Sequence, residues 1–378
     1  MERQRRQFYI IGHNPNTGEQ AKDFLEKGAN ALAPDIVYDQ GKFYVTHSTQ
    51  SSYKDIPTVE VYLQALRELL ATQQYNLALL IWDIKVTNFD INLLINTVKT
   101  TFSGHENIAM VFTHANDCGF VCRYNGSYDN VGIGVDESNI TPDELAKIFI
   151  SNRQNNFIYG DGIITLLNKP QIFKNAREAL HQRDANKEGG FKIVYPWVLA
   201  RPVAMQKYLN SYVDGIIVDL EAVDHLKSII YQSPYTHAFQ LAQSGHNPFL
   251  VSTIPIYLLN IKTKDEPFAG TDAWLSFTLK GTSGKLLHRL PFHANAKDIF
   301  ERGSTTYLTL EGLDIGEIES LTVEALSDGL GSGWLPENIS VECKTSGRIY
   351  DFDFKDDDEW ITKKGGPVMK LAKPRDLS

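Results

Sequence analysis

Three stretches decide the fold: Phe8-Tyr9-Ile10-Ile11-Gly12-His13, Ala31-Leu32-Ala33-Pro34-Asp35-Ile36-Val37-Tyr38, and Phe43-Tyr44-Val45-Thr46-His47. Each is an apolar run of strand length that carries or delivers a polar residue with acid–base or metal-binding chemistry. If the runs are buried strands, His13, Asp35 and His47 are costly to hide and belong around one shared mouth. Two imidazoles suit proton transfer near neutral pH, and a carboxylate beside them suits a divalent cation.

Further runs alternate with amphipathic segments up to about residue 231. The strand-like ones are Leu77–Ile84, Ile108–His114, Val131–Val135, Phe157–Ile163, Phe191–Trp197 and Gly215–Asp219. The helix-like ones include Thr58–Gln73, Thr141–Asn152, Gln171–Gln182, Pro202–Ser211 and Leu220–Tyr231. Eight strand–helix units in about 230 residues is the size of an α/β (β/α)8 TIM barrel, whose catalytic groups lie at the C-terminal strand ends. His13, Asp35, Asp83 and Asp219 fall there. Thr141-Pro142-Asp143-Glu144 and Asn168-Lys169-Pro170 read as helix starts.

From Ile254 the period changes. Short alternating runs separated by Gly, Pro, Asn and Asp, from Ile256–Lys262 to Ile349–Phe354, predict an all-β sandwich. The expected domains are residues 1–249 and 253–378, with a linker near Ser244–Thr253.

The chain has 378 residues, 42% hydrophobic and 22% charged, enough for two cores. A formal charge of −9 argues against nucleic acid as a partner, because that binding needs clustered Lys and Arg. Three cysteines, Cys118, Cys122 and Cys343, are too few for a disulfide scaffold, and Cys118 with Cys122 reads equally as a local bridge or a reduced pair. The N-terminus lacks a signal-peptide core, and no run approaches the ~18 apolar residues of a membrane span. The expectation is a chain that is cytoplasmic as written, or secreted if a signal has been removed. The oligomeric state is left open.

The ordered set Gly12-His13, Gly28-Ala29-Asn30 with Asp35, His47, Leu80-Ile81-Trp82-Asp83-Ile84-Lys85, Tyr159-Gly160-Asp161-Gly162-Ile163, Lys192-Ile193-Val194-Tyr195-Pro196-Trp197 and Asp214-Gly215-Ile216 resembles the sphingomyelinase D / phospholipase D toxins of spider-venom type. These belong to the glycerophosphodiester phosphodiesterase barrel superfamily. Arg183-Asp184-Ala185-Asn186 and the closing Gln240-Leu241-Ala242 with His246-Asn247-Pro248-Phe249 are similar to that clade as well. The resemblance implies a phosphodiester lyase or phosphodiesterase acting on choline- or ethanolamine-headed phospholipids or sphingolipids. His13 and His47 match its catalytic pair, Lys85 its phosphate-neutralising lysine, and Asp35 and Asp83 two of its Mg2+ ligands. Trp197 matches a tryptophan at the mouth, with Tyr195 beside it as a second substrate-binding residue.

The chain departs from the family in three places. Ala33 stands where the family has a ligand glutamate, Ala200 where it has an aspartate, and Asp219 where it usually has asparagine. Asp219 is therefore expected to supply charge to the metal from another direction. A different reading of the same departures is a degenerate barrel that binds a lipid or a partner, or one turned to different chemistry.

The β half resembles a PLAT (polycystin, lipoxygenase, α-toxin) domain through Ala269-Gly270-Thr271-Asp272-Ala273, Phe300-Glu301-Arg302-Gly303-Ser304-Thr305, Leu330-Gly331-Ser332-Gly333-Trp334 and Trp360. That resemblance implies peripheral recruitment to a membrane surface or a protein partner, with Asp272 and Asp328 as a candidate Ca2+ site. Trp334 reads as a packed residue or an interfacial one. The run Asp356-Asp357-Asp358-Glu359 reads as a solvated loop.

Overall fold

The computed structural model describes residues 5–126, 128–136, 140–162, 170–185, 189–250, 252–293, 299–327, 333–354 and 360–375. Asp328, Leu330-Gly331-Ser332, Asn168-Lys169, Ile163, Asn186 and the acidic run 356–359 lie outside the described residues. The chain divides into two compact units. One is Gln7–Gln206 with Val213–Ser252, and the other is Thr253–Ser378 with Lys207–Tyr212 and the N-terminal residues.

The first unit is built on β1 (Arg6–His13), β2 (Ala31–Ala33), β3 (Asp35–Asp39), β4 (Lys42–Val45), β5 (Leu79–Ile84), β6 (Ala109–His114), β7 (Val131–Asp136), β8 (Phe157–Gly162), β9 (Val194–Trp197) and β10 (Gly215–Val218). Eight of them pair in the order β10-β1-β2-β5-β6-β7-β8-β9. The Asp214 N–H donates to the Val194 carbonyl at 2.9 Å and the Leu199 N–H to the Ile217 carbonyl at 3.0 Å, so the ends of the sheet meet and the barrel is nearly closed. Continuous apolar runs are what strands buried on both faces require. Tyr9, Ile11, Leu79, Ile81, Val111, Ile158 and Ile193 join one buried cluster.

The expected single strand Ala31–Tyr38 is two. Pro34 has no N–H to give to a ladder, so β2 stops before it and β3 starts after it. The chain then turns back as the β3/β4 hairpin, through Gln40 at φ 47° and Gly41 at φ 81°, the left-handed pair that a two-residue hairpin turn needs.

Two helices, Gly18–Lys27 and Ile91–Thr101, form outside the helix-like stretches named above. The first is announced by a capping box in which Thr17 accepts from the Gln20 N–H, and it ends on left-handed Gly28. Thr141 and Glu144 make a second capping box for Pro142–Ser151, as expected. The expected Leu220–Tyr231 helix begins as a 3-10 turn, Leu220–Ala222, before Val223–Ile230.

Part of the expected linker is tied down. The Ser244 N–H donates to Asn76, Asn247 donates to the Asp129 carbonyl, and Phe249 joins the barrel cluster. A Cβ at Gly132 would lie 2.5 Å from the Phe249 ring, so glycine there makes the space that this ring fills.

The second unit is two antiparallel sheets. One joins Thr305–Glu311, Ile256–Thr263, Pro336–Cys343, Ile349–Asp353 and Lys373–Pro374 in that order. The other joins Leu286–His288, Trp274–Gly281, Ile318–Ala325 and Val368–Leu371, with Phe292–His293 also paired to Trp274–Gly281. Burial alternates along much of Ile318–Ala325 and Pro336–Cys343, as a sandwich demands, whereas Ile256, Tyr257, Leu258 and Leu259 are all buried. Trp334 is fully buried between Phe277 and Phe300 and donates to Thr263 Oγ1 at 3.1 Å, which places it in the core. All three cysteines are free thiols. Among the described residues no helix is long and apolar enough to cross a membrane.

Candidate active site

The expected residues converge at the C-terminal end of the barrel. β1 pairs with β10 so that Gly12 faces Val218, which puts the next residues, His13 and Asp219, side by side. His13 Nδ1 lies 2.8 Å from Asp219 Oδ1. Asp219 thus lies on His13 rather than in a cluster with Asp35 and Asp83, and its side chain is 56% exposed.

The second neighbourhood grows from β3 and β5. Parallel register sets Asp35 opposite Asp83, so both carboxylates point the same way, and Lys85 follows at the strand's period of two. The Lys85 ammonium sits between them, 3.0 Å from Asp35 Oδ1 and 2.6 Å from Asp83 Oδ2. His47 follows the hairpin: the Thr46 N–H donates to the Asp35 carbonyl, and His47 Nδ1 comes within 3.5 Å of Asp35 Oδ1 while the ring stays largely in solvent. One carboxylate therefore faces both a lysine and a histidine.

Three residues in this neighbourhood escape sequence reasoning. Asn16 clamps Asp35, its side-chain N–H donating to Asp35 Oδ2 and its carbonyl accepting the Asp35 N–H, both at 2.8 Å. Its signal was only an Asn-Pro-Asn run after His13. Asp136, at the end of β7, is buried and accepts from the Tyr195 hydroxyl at 2.5 Å. Gly160 makes room for it, since a Cβ there would lie 1.9 Å from Asp136 Oδ1. His114 closes β6, and its Nδ1 accepts from the Asn116 and Asp117 N–H groups, which fixes that nitrogen as unprotonated.

Burial governs the charges here. It pushes the Asp83 carboxyl up to about 7, against the pull of Lys85 and with the help of Asp136 and Asp35. It raises Asp136 too, against the Tyr195 hydrogen bond. Burial works against the Lys85 charge, but Asp83 and Asp35 outweigh it and hold the ammonium protonated. Burial and then Asp136 push the Tyr195 hydroxyl well above its usual range, so it stays a donor. Burial pulls the His114 imidazole down and keeps it neutral.

Tyr195 is itself buried, with its hydroxyl committed to Asp136, and Trp197 is half-buried against the barrel cluster at the end of β9. Arg183, buried, pairs with Asp184 at 2.9 Å and Asp214 at 2.7 Å, while Asp214 also accepts the Val194 N–H. That motif fastens the β9–β10 seam rather than the mouth. Asn30 is likewise structural, bonding the Ile10 N–H and the Phe8 and Ala242 carbonyls.

Among the described residues no three His, Cys, Asp or Glu side chains gather closely enough to hold a metal by themselves. Ala33 shows why at the barrel mouth: it sits in register with His13 and brings no carboxylate. Asp272 is exposed, and among the described residues no such group surrounds it, so the calcium expectation gains no support.

Two family models match the chain, dermonecrotic toxin SPH over residues 3–114 and 122–249, and PLAT/LH2 domain over residues 257–370. The chain is 26% identical over 284 residues to dermonecrotic toxin Hl-PLD1 of Hemiscorpius lepturus, covering 66% of this chain and 85% of that one. It is 25% identical over 286 residues to dermonecrotic toxin LarSicTox-alphaVII1 of Loxosceles arizonica, covering 64% and 99%. A match to lipoxygenase homology domain-containing protein 1 of Homo sapiens is 35% identical over 116 residues, 30% of this chain, and the chain spans only 5% of that relative's length.

Proposed function

The chain belongs to the dermonecrotic toxin SPH family and carries a PLAT/LH2 domain, and from that premise we propose that it is a phospholipase D-like enzyme cleaving the phosphodiester of choline- or ethanolamine-headed lysophospholipids or sphingolipids. One observation carries the reading. Two histidines stand at one barrel mouth, each beside a carboxylate, with an ammonium between two further contacts to Asp35 and Asp83.

In the proposed reaction an oxygen nucleophile, the lipid's own hydroxyl or water, forms a bond to phosphorus as the phosphorus–headgroup oxygen bond breaks. One histidine takes the proton from the nucleophile and the other returns a proton to the leaving alcohol. Asp219 accepts from His13 Nδ1, which fixes the ring and leaves Nε2 to exchange the proton. Asp35 plays the same part more loosely for His47. Lys85 donates to a non-bridging phosphate oxygen, where transition-state charge gathers. The lipid hydroxyl as nucleophile gives a cyclic phosphate, and water gives the open one.

Asp35 and Asp83 are the residues that would hold magnesium. They suit it, because Asp83 Oδ1 is buried and accepts no hydrogen bond, and a single ammonium stands between the two carboxylates. Magnesium is commonly held by one or two carboxylates plus substrate phosphate. When bound it would neutralise charge on the phosphate oxygens. Residues 253–378 serve in this reading to recruit the barrel to lipid surfaces, and Phe268, 88% exposed, and Trp360 are aromatics available for that contact.

A second reading, a barrel that binds lipid without turnover, is favoured by the missing third carboxylate at Ala33. Headgroup release separates the two. Wild-type chain should release choline or ethanolamine from lysophospholipid, and His13→Ala and His47→Ala should each lose about 10²–10⁴ of the rate while remaining folded. A folded wild-type chain with no release refutes the enzyme, and either variant keeping more than about a tenth of the rate refutes the two-histidine assignment.

A further inference from the structure

Asn16 stands in the short run between His13 and the helix Gly18–Lys27, and it makes two hydrogen bonds to one fully buried aspartate. Its side-chain N–H donates to Asp35 Oδ2 and its side-chain carbonyl accepts the Asp35 N–H, both at 2.8 Å. We infer that Asn16 is a positioning residue that makes Asp35 a one-oxygen ligand, and that by doing so it sets the site to take a small six-coordinate cation, magnesium, in preference to a large one, calcium. This rests on the reading of Asp35 and Asp83 as the residues that would hold magnesium, and it adds what chooses between cations there.

The argument is a count of oxygens. Each carboxylate has two, and on each of these aspartates one is already committed. Asn16 holds Asp35 Oδ2, and the Lys85 ammonium holds Asp83 Oδ2 at 2.6 Å. Asp35 Oδ1 and Asp83 Oδ1 are buried and accept no hydrogen bond, although Asp35 Oδ1 keeps ion-pair contacts with Lys85 at 3.0 Å and His47 at 3.5 Å. Parallel register sets the two aspartates opposite each other, so the site offers one oxygen from each strand. Ala33 adds none, and among the described residues no third acid joins them. Calcium gathers about six to eight oxygens in a flexible shell and readily takes a carboxylate by both of its oxygens. Magnesium is smaller, keeps several waters and needs only one or two carboxylates. Two single oxygens are therefore too few for calcium and enough for magnesium.

The clamp is fixed at its root. Gln20 Oε1 accepts from the Asn16 and Thr17 N–H groups at 2.8 and 3.1 Å, as part of the capping box that starts the helix. Asn14, left-handed at φ 49°, donates its N–H to the Ala33 carbonyl at 3.1 Å. The run is thus tied to the helix on one side and to β2 on the other, and Asn16 does not travel with Asp35 when the carboxylate turns. A turn that presented both Asp35 oxygens to a cation would break a charge-assisted hydrogen bond. Without Asn16 that restraint is gone, and the second oxygen becomes available to the larger ion.

Calorimetry on the full chain would measure the dissociation constants of magnesium and calcium, each alone, for wild type, Asn16→Ala and Asp83→Asn. Removing a group that orients a metal ligand costs about 10–100-fold in affinity, so wild type should favour magnesium by about tenfold and Asn16→Ala should bring the two constants to within about twofold of each other. Asn16→Ser also lacks the amide N–H and gives the same reading where the alanine variant does not fold. A loss that is merely structural weakens both ions alike and leaves their ratio unchanged, and that result overturns the inference, as do equal affinities in wild type. Magnesium bound as tightly by Asp83→Asn as by wild type would place the ion elsewhere and overturn it too. If wild type binds neither ion, the magnesium reading and this inference fall together. Headgroup release plays no part in the measurement, so the phosphodiesterase reading is decided separately.

Discussion

The Lys85 side of the mouth and the His13 side use the same side chain, aspartate, under opposite conditions. Asp35 is fully buried and Asp83 is only partly reached by solvent, and their charges are answered by Lys85, Asn16 and His47. Asp219, Asp23 and Glu221 stand in water around His13. Burial makes the first group expensive and therefore responsive to a cation that arrives, and it raises the Asp83 carboxyl. Exposure makes the second group cheap, so Asp219 can orient the His13 ring without altering stability. The same carboxylate acts as a charge store on one side and as a hydrogen-bond acceptor on the other.

The sharpest way to break this contrast is to add the cation. Magnesium at a hundred times its dissociation constant should stabilise the wild-type chain by about 2.7 kcal/mol. Thermal unfolding should show the shift in wild type and lose it in Asp83→Asn, while Asp219→Asn keeps it. An equal shift in all three would place the ion elsewhere.

A smaller effect comes from protons. Asp83 sits at about 7 in the folded chain against 3.8 ordinarily. Between those values the folded chain keeps a proton that the unfolded chain has released, so this group's contribution to stability falls as pH rises from about 4 to about 7 and then levels. Asp83→Asn removes the dependence. With EDTA present, urea unfolding should find the variant gaining about 2 kcal/mol on wild type between pH 5 and pH 8, after allowance for the side chain's partial exposure. A constant difference across that range would mean that Asp83 is ionised throughout.

The smallest effect belongs to the exposed side. An amide oxygen can still accept from His13 Nδ1–H, so Asp219→Asn should lower kcat by about tenfold or less. A loss approaching that of His13→Ala would show that the charge, and not the orientation, is what Asp219 provides.

Much of this was legible in the chain itself, and the exceptions have causes. His13, Asp35, Asp83 and Asp219 announce themselves because each closes or interrupts an apolar run, where a polar side chain has nowhere to go but the mouth. His47 was legible as a residue, but the hairpin that brings it to Asp35 depends on Pro34 breaking the strand. Asn16 and Asp136 were not legible. Asn16 sits in a loop whose composition suits any turn, and Asp136 shows its importance only when β7, β8 and β9 stand together and Gly160 clears space for its carboxylate. The helix Gly18–Lys27 lies outside the helix-like stretches named because its face is short and polar, with Ala21, Phe24 and Leu25 its buried residues. Asp219 was read as a metal ligand because charge can be counted along a sequence while direction cannot.

The β3/β4 hairpin also sets the order in which the site can be assembled. Asp35 and His47 are a dozen residues apart and joined by a tight turn, whereas His13 and Asp219 are separated by 206. Bringing the distant pair together costs the unfolded chain about 2–3 kcal/mol more in loop-closure entropy. Hairpins of this kind form within about ten microseconds, long before a sheet of this topology can close. One histidine meets its carboxylate through local chain geometry alone, and the other meets its partner only once β10 has docked beside β1, so that contact marks the completion of the barrel.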